Sequence, residues 1–236
     1  MRAIRTGGMT PLLVWSVGLG ATLLVCAANV YPTALPLLCG AGFHSALASS
    51  AQSLDFAIRT TGWSSLLGGA VLMVAAMMAP ALAAPLSHLW LGSPARYRWR
   101  AISLFGLGYF AVWLLALSVM FAAAALLVAA AGSVRPAGVT IAALGIAWQA
   151  SPLRSACLAR CHLRPQLSSF GAAALGDSLR FGAVQACWCV TTCWALMTLP
   201  MLWPGEHGPL SAAATLFIAI ERVGGPRRFR KTLITR

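Results

Sequence analysis

The sequence predicts an all-α, polytopic transmembrane helix bundle of about six spans with both termini in the cytoplasm. Hydrophobic residues make up 59% of the chain and charged residues only 9%, and the mean hydropathy is +0.80; soluble domains carry about 25% charged residues. The apolar residues fall into segments near 11–30, 63–90, 101–131, 138–150, 182–203 and 210–223. Basic residues orient these segments. Of 17 Lys and Arg, 15 occupy the two termini and alternate gaps, and only Arg59 and Arg135 lie on the other side. Positive charge marks cytoplasmic loops, so both termini are cytoplasmic.

Each element follows from length and flanking charge. A bilayer core about 30 Å thick takes roughly 20 helical residues. Arg2 and Arg5 precede the first segment, whose apolar run at 12–28 exceeds the h-region of a secretory signal, so it is expected to stay as a span. The second holds Pro80 and Pro85, each removing a backbone donor and predicting a kink. Arg96, Arg98 and Arg100 separate it from the third. The fourth, 138–150, is short and stops at Ser151-Pro152; Arg154, Arg160, Arg164 and Arg180 follow it. The sixth, 210–223, is also short, with Glu221 at its cytoplasmic end, and Arg222, Arg227, Arg228, Arg230, Lys231 and Arg236 close the chain. Residues 1–236 read as a single integral membrane domain without an internal repeat.

Composition also excludes functions. The net charge of +13 sits in short clusters beside the spans rather than on a folded basic face. Anionic lipid headgroups, not nucleic acid, are the expected partners. The four acidic residues, Asp55, Asp177, Glu206 and Glu221, lie outside the middles of the spans. That placement leaves no intramembrane acid for ion-coupled transport, and no nucleophile–base arrangement is apparent, so an enzyme is not expected.

The chemistry concentrates in sulfur. Five of seven cysteines, Cys157, Cys161, Cys187, Cys189 and Cys193, gather in the second half. Cys157 and Cys161 lie just past the cytoplasmic end of the fourth segment, and Cys187 and Cys189 near the cytoplasmic end of the fifth. A fold-back of the loop between them would bring four thiols and His162 together. A reducing cytoplasm disfavours disulfides there, leaving metal binding, redox chemistry or plain burial. Residues four apart share a helix face, so Cys189, Cys193 and Met197 form a stripe of soft donors that selects Cu(I) over harder ions. Met73 and Met77, with Met78 beside them and His88 further along, form a similar set in the second segment, although Met is an ordinary packing residue in an apolar core. On the outer side, Cys26 and Cys39 are expected to be free thiols.

These residues carry a family resemblance. The chain has Ala76-Met77-Met78-Ala79-Pro80, then Gly108-Tyr109 with Trp113, then Gln149-Ala150-Ser151-Pro152-Leu153-Arg154 leading to Cys157 and Cys161. Cys193-Trp194-Ala195-Leu196-Met197 and Glu221-Arg222 complete the set. The ordered set, over most of 63–223, resembles a bacterial domain-of-unknown-function family described as predicted metal-binding multi-pass membrane proteins. The resemblance implies a metal site built on cysteines. The family's pattern places two adjacent Cys before the Trp, where this chain has Thr192-Cys193, and a His before a Gly, where it has Phe181-Gly182.

Two functional readings follow. In the first, a bacterial inner-membrane protein handles a soft metal ion, copper, through Cys157, Cys161, Cys189 and Cys193, with Met197 as a further donor. In the second, the same scaffold serves as a non-catalytic accessory or assembly subunit of a larger respiratory, photosynthetic or monooxygenase complex.

Overall fold

A computed structural model describes residues 63–168, 171–202 and 207–224. The predicted first span, the Cys26 and Cys39 thiols and the basic C-terminal cluster beyond Arg222 lie outside the described residues. Those described form six α-helices and a short 3-10 turn, with no strand. They are α1 (Trp63–Gly92), the turn Ala95–Tyr97, α2 (Arg98–Ala131), α3 (Val134–Gln149), α4 (Pro152–Cys161), α5 (Gly171–Leu202) and α6 (His207–Gly224).

The chain is helical where apolar runs meet no competing polar groups, and it breaks where local chemistry provides an end. Pro80 and Pro85 leave α1 a single continuous helix. Gly132 ends α2 with φ of 73°, a left-handed conformation that is unstrained for glycine. Ser151 caps α4: its Oγ accepts from Leu153 N at 3.2 Å, and Pro152 occupies the first turn, where its missing N–H costs nothing. The predicted loop after 150 is therefore a helix, and α5 starts at Gly171, ahead of the expected 182.

Three helices, α1, α2 and α5, contain stretches long and apolar enough to cross a membrane. Their packing defines the core. The most extensive helix pair is α2 with α5; α1 packs on α2 and α6, and α3, α4 and α6 pack on α5. Two glycines set the α2–α5 distance. A Cβ on Gly108 would overlap the Leu179 carbonyl oxygen, and one on Gly182 would overlap the Phe105 carbonyl. Such close approach brings the two backbones into van der Waals contact, the kind of packing that joins helices where lipid would offer no hydrophobic force between them. Large apolar side chains face outward, among them Leu107, Leu115, Val119 and Leu126 on α2 and Leu216, Phe217 and Ile220 on α6.

Candidate metal centre

Along α5 the buried face runs through Ser178, Phe181, Gln185, Cys189, Thr192, Cys193 and Met197, the three- and four-residue spacing of one helical stripe. Opposite it stand Met73, Met77 and Met78 of α1 and Phe105, Tyr109 and Trp113 of α2, all at most 2% exposed. Cys189 sits where the three helices meet. Its thiol donates to the Met78 thioether at 3.5 Å and accepts from the Tyr109 hydroxyl at 3.3 Å. Cys193, one turn on, lies on the same buried face of α5 as Cys189. The result is a buried dithiol with a thioether in contact.

The loop after the fourth segment does fold back. As α4 it lies against α5, tied by Arg154 Nε to the Thr192 carbonyl (3.4 Å) and Gln185 Nε2 to the Cys161 carbonyl (3.1 Å), while Trp148 Nε1 at the end of α3 reaches the Thr191 carbonyl (2.8 Å). These bonds bring Cys161, itself fully buried, up to Thr192: its sulfur is 4.0 Å from Thr192 Oγ1, which is 3.5 Å from Cys193 Sγ. Thr192 thus stands between a thiol of α4 and a thiol of α5. Its hydroxyl is also held by the Trp188 and Cys189 carbonyls, each at 3.0 Å.

The predicted donors divide by burial. Cys161, Cys189, Cys193 and Met197 are buried, and Cys157 is half-buried on α4. Cys187 is exposed, as the helical period places it well away from Cys189. Met197 is fully buried in the same apolar cluster, but the thioether that meets a thiol is that of Met78. His162 is half-buried at the end of α4; burial, then the charges of Arg222 and Arg164, lower its pKa to about 4. Among the described residues, no three Cys, His, Asp or Glu side chains converge as a metal-binding group. The side chains that do meet there, Cys189 and Met78, are sulfur donors of the kind soft ions prefer.

Three further residues shape the centre. Burial raises the Cys161 pKa, and the nearby Arg222 guanidinium opposes that rise. Arg222, at the end of α6, is 7% exposed and close enough to act electrostatically on Cys161, Cys189 and Cys193. Its neighbour Glu221 accepts from Arg154 of α4. Tyr109 and Arg222 both belong to the sequence motif, but only the tertiary structure gives them a place beside the thiols. Met78 was legible as one of three methionines and not as the one in contact.

The fold and this centre define a class: an apolar helical bundle with a buried thiol and thioether cluster. A family model described as PpoB2, copper chaperone, matches residues 67–233, and the chain belongs to that family. No curated protein and no solved structure shows a significant match.

Proposed function

We propose that the protein is a non-catalytic carrier of Cu(I) in the bacterial inner membrane, with Cys189 and Cys193 as its central ligands. The observation that carries this reading is the buried Cys189 thiol touching the Met78 thioether, with the buried Cys193 one turn away on the same face, a donor set that selects Cu(I). Membership of a copper chaperone family supports it. Three span-length helices and a largely apolar outer surface support a membrane location.

The remaining donors form a graded path. Cys157 is half-buried, Cys161 is buried one turn further along α4, and Cys161 faces Cys193 across Thr192. An ion arriving at the cytoplasmic side would pass by thiol exchange from Cys157 to Cys161 and onto the Cys189–Cys193 pair, with Met197 the next sulfur along α5. Delivery to a partner subunit in the membrane follows from the chaperone reading.

The test is metal loading of the full-length protein in detergent, with Cu(I) supplied anaerobically, weakly bound ion removed by mild chelation and copper measured by mass spectrometry. Wild type and Cys187→Ser should retain the ion; Cys189→Ser and Cys193→Ser should lose most of it, because a hydroxyl is a poor ligand for Cu(I). Wild type without copper, copurifying at fixed ratio with other membrane proteins, would instead establish the accessory-subunit reading.

A further inference from the structure

We propose that Arg222 makes the thiol centre selective for a singly charged ion, by placing one permanent positive charge beside the dithiol. The inference rests on the Cu(I) reading above and adds the residue that sets ion charge.

Arg222 is buried at the inner end of α6, and its Nη2 has no hydrogen-bond partner among the described residues. A guanidinium cannot shed its charge in a protein, so burial without a counter-charge is costly. The nearest carboxylate in sequence, Glu221, is committed to Arg154. Its charge acts on the Cys189, Cys161 and Cys193 thiols, and Arg164, half-buried and bonded to the Cys161 carbonyl, adds a second cation on the Cys161 side.

The charge count then discriminates between ions. On binding, two S–H bonds give up their protons to solvent and two S–metal bonds form, with no electron transferred. Two thiolates and one monovalent ion leave a net charge of −1, which Arg222 cancels. Two thiolates and one divalent ion are already neutral, and Arg222 then leaves an uncompensated positive charge in an apolar core. The interior penalises that second state and favours the first. Without the arginine, this electrostatic contribution reverses in sign.

The experiment compares Ag(I), a redox-inert monovalent probe, with Cd(II), a thiophilic divalent one, by competition titration of the purified full-length protein in detergent. Wild type should prefer Ag(I) over Cd(II) by a larger ratio than a free dithiol such as dithiothreitol does. Arg222→Gln should lower the Ag(I)-to-Cd(II) affinity ratio by at least about ten-fold, and Arg222→Lys should restore much of it. A structural role alone would weaken both ions together and leave the ratio unchanged; that result overturns the proposal. So does a wild-type ratio equal to that of the free dithiol, which needs no variant to fold. Wild type that binds neither ion sinks the underlying Cu(I) reading, a failure distinct from binding with an unchanged ratio.

Discussion

Gly182 of α5 lies directly against the carbonyl of Phe105 in α2, so closely that a single added methyl would overlap the backbone. Gly108 repeats the relationship one turn along α2, against the Leu179 carbonyl. Tyr109 follows Gly108, and Cys189 lies two turns beyond Gly182. The glycine contacts therefore set the 3.3 Å between the Tyr109 hydroxyl and the Cys189 thiol.

Gly182→Ala should consequently destabilise the protein by about 3 kcal/mol, the upper range for overpacking, because backbone cannot step aside as a side chain can. Gly176→Ala, on the same helix with open space around it, should be neutral or slightly stabilising. Unfolding midpoints in detergent would check both. Equal midpoints for the two variants would show that the crossing is looser than the structure has it.

Arg154 and Glu221 join α4 to α6 as a pair whose side chains are 5% and 19% exposed. Removing one partner leaves a buried charge. Glu221→Gln should cost about 2–3 kcal/mol, less than a fully buried pair because Glu221 keeps some access to water. Replacing both residues with apolar ones should recover part of that loss, as measured by a double-mutant cycle in unfolding free energy.

His162 gives stability a pH dependence with a definite sign. Held down from 6.5 to about 4 by burial and then by Arg222 and Arg164, it stays neutral in the folded protein while the unfolded chain binds a proton. Its contribution is complete above about pH 6.5 and is lost as the pH falls toward 4. Thermal midpoints recorded from pH 7.5 to 4.5 should decline across that window, and His162→Gln should flatten the decline. An equal slope in the variant would remove His162 as the cause.

The orientation read from the Arg and Lys distribution is tested by labelling. Cysteines introduced beside Arg98 and at the C-terminus, in a background free of other reactive thiols, should react only from the cytoplasmic side. One at position 205 should react only from outside. Labelling beside Arg98 from outside would invert the topology and place α4 and its thiols in an oxidising compartment.

The sequence by itself determined the all-helical class and the positions of most helices, because apolar runs bounded by Arg clusters, Gly and Ser-Pro signals are local properties of the chain. It also placed Cys189 and Cys193 on one face, since a helix fixes that relationship by its period alone. What it could not supply was any relationship across helices. Residues 152–161 read as a loop because their apolar content is low, and they are a helix because Ser151 caps them and α5 accepts their bonds. Met78 became the thioether at the centre, Thr192 the hydroxyl between two thiols, and Arg222 the charge beside them, each through contacts spanning many residues of sequence. Those contacts depend on how closely α2, α5 and their neighbours approach. Packing of whole helix faces decides that distance, and no short stretch of sequence encodes it.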